Sequence, residues 1–125
     1  MRIVICGWPA SGKSRHAEEL SSKLGIEVKH TDSLVRTHSW SDASEAASHW
    51  FDQPGPWIIE GVAVPRALRK WQARHPDEDP PFDQFILMPI PDEKIQADMK
   101  AGQITMGKGH DTVLRGLEDW LGPWL

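Results

Sequence analysis

Apolar residues in this chain occur in short runs separated by longer stretches of helical periodicity. Residues 3–6, 57–61 and 84–88 are short apolar runs, and residues 26–31 alternate apolar with polar side chains. Short runs bounded by Gly, Pro, Asp or Ser are typical of β-strands. The pattern therefore predicts a strand at each of these ranges, with 3–6 buried in the centre of a sheet and 26–31 nearer an edge.

Apolar positions three and four residues apart predict helices between these strands. Residues 13–24 have this spacing, and Gly25 follows where a left-handed C-cap is expected. A second helix is predicted to start at Asp42 with Glu45 completing a capping box, and a third to start near Pro65. Strands that alternate with helices favour an α/β protein with a mainly parallel sheet.

The C-terminal third is predicted to contain two helices joined by a mobile loop. The first helix covers about 92–101, and Asp111 is expected to cap the last one. Residues 102–110 include three glycines and little apolar content. Such a composition favours a loop over a packed element.

Length and composition place the chain among ordinary globular proteins. Its 125 residues are expected to form a single domain over 1–125, and 39% are hydrophobic and 26% charged. A net charge of -4 argues against bulk attraction to nucleic acid or an anionic membrane, and no apolar stretch approaches the length of a membrane span. The single Cys6 favours a reducing, cytoplasmic setting.

One motif carries specific chemistry. Residues 7–14 match the pattern G-x-x-x-x-G-K-[ST] directly after a predicted strand and before a predicted helix. In such a loop the backbone N–H groups cradle a polyphosphate, Lys13 bridges the β- and γ-phosphates, and the Ser14 hydroxyl binds Mg²⁺. The residues predicted to bind ATP are Gly7, Trp8, Pro9, Ala10, Ser11, Gly12, Lys13, Ser14 and Arg15.

With this motif the sequence resembles the P-loop kinase family, which includes nucleoside, nucleotide, gluconate, shikimate and polynucleotide kinases and zeta-type toxins. An acid after the second predicted strand, an acid-glycine pair ending the third and a glycine-flanked basic segment after the fourth add to the resemblance. The family implies a three-layer α/β/α P-loop NTPase fold with about four strands, and ATP with Mg²⁺ as cofactors.

The resemblance also suggests residues for the acceptor side. Asp32 is expected to orient or deprotonate an acceptor hydroxyl, Arg36 to hold an acceptor phosphate and Arg66 to reach the acceptor site. Glu60 is expected to act through water on Mg²⁺ or to orient the substrate. The competing interpretations are helix caps for Asp32 and Glu60 and a solvated surface charge for Arg36.

A basic lid is expected at about 102–110. Lys108, between two glycines, fits a lid cation that neutralises phosphate charge as the lid closes, and Lys100 and Arg115 at its borders are alternatives. Each of these could equally be a plain surface charge. The family usually carries two or more lid arginines, so this segment departs from its pattern.

The sequence thus predicts an ATP-dependent phosphotransferase that moves the γ-phosphoryl group to a small acceptor such as a nucleoside or nucleotide. One alternative is a kinase acting on polynucleotide 5′ ends or DNA bases, which the acidic net charge disfavours. Another is an ATP-binding regulatory or assembly module with little turnover, which the sparse lid arginines suggest. The sequence leaves the oligomeric state open.

Overall fold

A single parallel sheet organises the structure, a computed structural model that describes residues 1–125. Its four strands have the spatial order β2-β3-β1-β4. They are β1 (Arg2–Cys6), β2 (Val28–His30), β3 (Trp57–Glu60) and β4 (Gln84–Leu87). All three neighbouring pairs are parallel. The α/β class, the central position of β1 and the edge position of β2 are confirmed.

Helices connect each strand to the next, as parallel neighbours require. The first, α1, keeps the predicted bounds and ends at Gly25, whose φ of 66° is left-handed. The helices are α1 (Lys13–Leu24), α2 (Asp32–Val35), α3 (Trp40–Trp50), α4 (Val64–Arg74), α5 (Glu93–Asp98), α6 (Ala101–Gly116) and α7 (Glu118–Leu121). A short 3-10 helix, Gly122–Trp124, follows.

Strand β1 is buried because its side chains enter two hydrophobic clusters on alternate faces. Val4 and Cys6 belong to a cluster that includes residues of α3, α4, α6 and α7. Ile3 and Ile5 belong to a smaller cluster that includes Ala17 of α1. Burial on both faces holds the end of β1, from which the loop at 7–14 departs, in a fixed position.

The predicted start of α3 is wrong. The helix begins at Trp40, and Ser39 is its N-cap, with the Ser39 side chain accepting a hydrogen bond from the backbone N–H of Asp42 at 3.1 Å. Asp42 therefore lies in the first turn, where its charge suits the positive end of the helix dipole. Ser and Asp are both good N-caps, and several lie close together here, so the sequence pattern indicated Asp42 where the structure has Ser39.

The predicted loop at 102–110 is also wrong, because this segment lies within α6. Gln103 supports the start of the helix by accepting a hydrogen bond from the Lys100 backbone N–H at 2.9 Å. Gly107 is buried against the indole ring of Trp8. Asp111 consequently lies inside α6 and caps no helix. Tertiary packing here overrides the low helix propensity of glycine.

No helix is long and apolar enough to cross a membrane.

The glycines of α6 allow a test of this packing. Gly107→Ala is expected to destabilise the protein by about 1–3 kcal/mol, because a Cβ there would overlap the ring of Trp8. Gly102→Ala is the matched control, since a Cβ there meets nothing within 4 Å. Its expected effect is a stabilisation of up to about 1 kcal/mol from helix propensity. Urea unfolding measures both, and equal stabilisation by both variants would contradict the packing of Trp8 on α6.

Candidate functional site

The loop at residues 7–14 joins β1 to α1 and turns sharply on itself. Ala10 has a φ of 62° and Gly12 a φ of 83°, both left-handed, and Gly12 is the N-cap of α1. A Cβ on Gly7 would lie 2.7 Å from Ser11 Oγ and 2.9 Å from Met88 Cβ, so only glycine fits there. Loops of this kind form an anion-binding concavity at a helix N-terminus.

Lys13 lies inside this loop and is only 6% exposed. Its Nζ donates a hydrogen bond to the Trp8 carbonyl oxygen at 3.1 Å, and the Ser11 backbone N–H donates to the same oxygen at 3.2 Å. The ammonium group is thus held across the concavity formed by the loop. A phosphate placed there would meet a positive charge as well as backbone donors.

Glu60 ends β3 directly beneath the start of α1. Its side chain is completely buried, and Oε1 accepts a hydrogen bond from Ser14 Oγ at 3.1 Å and contacts His30 Nδ1 at 2.6 Å. His30 Nε2 lies 2.9 Å from Glu18 Oε1. Partial burial acts to lower the pKa of His30, but its hydrogen bonds to Glu60 and Glu18 outweigh burial and raise that pKa above its ordinary value.

Ser14 and Glu60 fit a magnesium ion held mainly by phosphates. No group of three or more His, Cys, Asp or Glu side chains could hold a metal by itself. Glu60 Oε2, however, is buried and has no hydrogen-bond partner, so it could accept from a water of the metal. Mg²⁺ typically keeps several waters and takes few protein ligands. A hydroxyl next to an unsatisfied carboxylate oxygen suits that coordination.

A cleft of about 640 Å³ opens beside the loop. It is lined by loop residues together with Asp32 and Arg36, so the structure brings part of the predicted ATP-binding and acceptor sets to one place. The members of these two sets that do not line it are Gly7, Trp8, Ser11, Glu60 and Arg66. Asp32 is the first residue of α2, whose N-cap is Thr31, so its alternative role as a cap is wrong. The lining consists of Pro9, Ala10, Gly12, Lys13, Ser14, Arg15, Asp32, Val35, Arg36, Val62, Gln103 and Met106.

Four of these lining residues were not among the predicted site residues. Val35 and Val62 carry no chemical signal in the sequence, whereas Gln103 and Met106 lie in the segment predicted as a loop. Their presence shows that the first turns of α6 border the cleft. Helical spacing of Gln103 and Met106 was the one signal that could have identified this face.

Arg66 does not line the main cleft. It lies in a neighbouring cavity of about 160 Å³, where its guanidinium carbon is 5.5 Å from the centre of the Trp40 ring. Val62 and Met106 line both spaces, so the two cavities adjoin. Arg66 therefore lines a space next to the cleft and not the cleft itself.

The predicted lid cations do not meet at the cleft. Lys108 and Arg115 are exposed residues of α6, and neither they nor Lys100 line either cavity. The cations that do line the cleft are Lys13, Arg15 and Arg36. The continuous helix over 102–110 explains this for Lys108, because two residues of α-helix place it on nearly the opposite face from Met106, which lines the cleft.

A network behind the loop was not predicted. The Trp8 indole N–H donates to Asp111 Oδ2 at 2.9 Å, and His110 Nδ1 lies 3.0 Å from Asp111 Oδ1. His110 is 1% exposed, and its Nε2 has no hydrogen-bond partner. Burial lowers the pKa of His110, and the hydrogen bond to Asp111 offsets this only in part. No sequence signal pairs residues so far apart in the chain.

Comparison with known proteins gives only distant similarity. No protein-family model matches the chain. An adenylate kinase of Caldicellulosiruptor saccharolyticus is 26% identical over 134 residues, covering 87% of this chain and 62% of that protein. A 4-hydroxy-3-methylbut-2-enyl diphosphate reductase of Acidithiobacillus ferrooxidans is 28% identical over 107 residues, covering 78% of this chain and 31% of that protein. The chain thus spans well under the full length of both relatives. The similarity to the adenylate kinase hints at a P-loop kinase.

Burial of His110 predicts a pH dependence of stability. A folded-state pKa below the ordinary value of 6.5 means that the unfolded chain binds the proton more readily. The stability gained by burying His110 in its neutral form is therefore present above about pH 6.5 and is lost as the pH falls below that value. We expect His110→Asn to show a smaller loss of unfolding free energy between pH 7.5 and pH 5.5, by urea titration, than the wild type.

Exposed His38 supplies the control for this measurement. His38→Asn is expected to keep the pH dependence of the wild type. Equal pH dependence in the wild type and in His110→Asn would contradict this prediction, because it would show that His110 takes up its proton as easily in the folded protein as in the unfolded chain.

Proposed function

We propose that this protein is a P-loop kinase that transfers the γ-phosphoryl group of Mg-ATP to a small acceptor such as a nucleoside or nucleotide. The observation that carries the proposal is the position of Asp32 and Arg36 in the same 640 Å³ cleft as the loop residues Lys13 and Ser14. A cleft with a phosphate loop at one side and a carboxylate and a guanidinium at the other suits transfer between two bound substrates. The proposal includes the three-layer P-loop NTPase fold and a single domain over 1–125.

The loop would hold the ATP side. Backbone N–H groups of residues 10–15 would bind the phosphate oxygens. The Lys13 ammonium has three N–H donors, so it could bridge the β- and γ-phosphates while keeping its hydrogen bond to the Trp8 carbonyl. Ser14 would bind Mg²⁺ directly, with Glu60 accepting from one of its waters. Bound Mg²⁺ neutralises the charge that develops on the transferred group.

Asp32 and Arg36 would hold the acceptor side. Both belong to the segment that follows β2, at the carboxyl edge of the sheet where ligands of α/β proteins collect. Asp32 would orient or deprotonate the attacking hydroxyl, and Arg36 would pair with an anionic group of the acceptor. Arg66 would reach an acceptor large enough to extend into the cavity beside Trp40.

The two distant relatives support this proposal unequally. The adenylate kinase is named for phosphoryl transfer, and its similarity covers most of this chain. The reductase is named for a different activity, and its similarity also covers most of this chain, but only 31% of that protein against 62% of the adenylate kinase. The phosphate loop and the acceptor acid at one cleft favour the kinase.

A second candidate is an ATP-binding module with little turnover. Its support is that Lys108 and Arg115 lie outside the cleft, while the α6 residues that border it, Gln103 and Met106, are uncharged. Fewer cations around the transferred group would give less stabilisation of the transition state. A polynucleotide acceptor has weaker support because the net charge is -4.

Transfer of label from γ-labelled ATP tests the proposal. With Mg²⁺ and a panel of nucleosides, nucleoside monophosphates and 5′-hydroxyl oligonucleotides, we expect a labelled small-molecule product. Lys13→Ala is expected to lower product formation by about 100-fold or more, because it removes the cation that bridges the phosphates. Lys23→Ala is the matched control, since Lys23 lies exposed in the last turn of the same helix.

The outcomes separate the candidates. A labelled oligonucleotide as the only product would identify a polynucleotide acceptor, and ATP binding without transfer would favour the binding module. Full activity of Lys13→Ala would contradict the assignment of the phosphate loop.

Glu60→Gln tests the magnesium site. Loss of the carboxylate charge weakens acceptance from a metal-bound water, so we expect a several-fold higher Mg²⁺ concentration at half-maximal ATP binding. Glu18→Gln is the control, because Glu18 contacts the other nitrogen of His30 and is exposed. Calorimetric titration of ATP at a series of Mg²⁺ concentrations measures both, and an unchanged Mg²⁺ requirement in Glu60→Gln would argue against a role for Glu60 at the metal.

A further inference from the structure

The phosphate loop is attached to α6 by the side chain of one of its own residues. Trp8 is 6% exposed, and its indole N–H donates to Asp111 Oδ2 at 2.9 Å. The loop and Asp111 are far apart in sequence, and Asp111 lies within α6. A hydrogen bond to a carboxylate is stronger than one between neutral groups, and burial strengthens it further.

The geometry of α6 is adapted to this contact. Gly107 lies one turn before Asp111, and a Cβ at Gly107 would overlap the indole ring. The ring therefore packs directly on the helix backbone while its N–H reaches the carboxylate. Apolar packing and a charge-assisted hydrogen bond together restrict the ring to one orientation.

Asp111 is itself held in place from the opposite side. His110 Nδ1 lies 3.0 Å from Oδ1, so each oxygen of Asp111 has its own partner. His110 is buried in the interior of the protein. A carboxylate oriented by two groups offers a fixed acceptor to the indole.

The anchored residue also supplies the carbonyl that holds Lys13. The Trp8 carbonyl oxygen accepts hydrogen bonds from Lys13 Nζ at 3.1 Å and from the Ser11 backbone N–H at 3.2 Å. Anchoring the Trp8 side chain therefore restrains the residue whose carbonyl holds Lys13. Trp8 connects α6 to the part of the loop that would contact phosphate.

We propose that Asp111 is a positioning residue for phosphate binding, which acts through Trp8 to keep the loop and Lys13 in the geometry that receives a polyphosphate. This inference rests on the proposed function, since it assumes that the loop binds Mg-ATP. Asp111 itself does not line the cleft beside the loop. Its effect is on the preorganisation of the donors.

A double-mutant cycle tests the inference. Calorimetry would measure the affinity of the full chain for Mg-ATP, and separately for inorganic tripolyphosphate, in Asp111→Ala, Trp8→Phe and the double variant. We expect each single variant to weaken binding of both ligands by about tenfold, the size of one hydrogen bond to a charged group. We expect the double variant to be no weaker than the singles, because both remove the same contact.

A conservative variant and a surface variant serve as controls. Asp111→Asn keeps an oxygen that can accept from the indole, so it is expected to bind Mg-ATP within about threefold of the wild type. Asp119→Ala changes an exposed acid beyond the end of α6 and is expected to leave affinity unchanged. Melting temperatures measured in parallel distinguish the positioning role from a purely structural one. A purely structural role would lower the melting temperature of Asp111→Ala and leave its affinity for Mg-ATP unchanged.

Each result bears on a definite statement. Three results would overturn the positioning role and leave the kinase proposal intact. They are additive losses of affinity in the double variant, unchanged affinity in Asp111→Ala, and an Asp111→Asn variant that binds as weakly as Asp111→Ala. Failure of the wild type to bind Mg-ATP or tripolyphosphate would overturn the proposed function and this inference with it. Should Asp111→Ala fail to fold, Trp8→Phe and Asp111→Asn still give opposite expectations.

Discussion

The site depends on a tight turn of backbone between the buried end of β1 and the first turn of α1. That turn needs left-handed conformations at Ala10 and Gly12. It also brings Gly7 close to Ser11 and Met88. Non-glycine residues adopt left-handed conformations at some cost, so the surrounding structure must hold the loop in place. The buried faces of β1 hold one end of the loop, and α1 holds the other.

A buried carboxylate ties three elements together beneath this turn. Glu60 at the end of β3 contacts Ser14 of α1 and His30 of β2 through one oxygen. Burial of a charge is unfavourable unless partners compensate for it, so these contacts fix how the ends of β2, β3 and α1 are arranged. The same arrangement leaves the second oxygen of Glu60 buried and without a partner. Glu60 therefore both fixes the arrangement of these elements and offers a candidate contact for a metal-bound water.

Helix α6 adds a second support from the opposite side of the loop. Its first turns border the cleft through Gln103 and Met106, and its middle part holds Trp8 through Gly107 and Asp111. One helix thus contributes both to the wall of the cleft and to the position of the phosphate loop. Rigid packing of this kind lowers the cost of organising donors when a ligand arrives.

The strands, α1 and the phosphate loop were predictable because their signals are local. Runs of Ile and Val, the cap at Gly25 and the spacing of Gly7, Gly12 and Lys13 lie within single elements, where short-range sterics and hydrogen bonding decide conformation. The joint placement of Asp32 and Arg36 at the cleft also followed, because the carboxyl ends of parallel strands share one edge of the sheet.

Only the tertiary structure decided the rest. Glycines at 102–110 favour a loop when judged locally, yet packing of Gly107 on Trp8 stabilises a helix there. That helix turns Lys108 away from the cleft and brings Asp111 to the indole. Such contacts join residues about a hundred positions apart, and their energy depends on distance and burial in space, which no local spacing of residue types encodes.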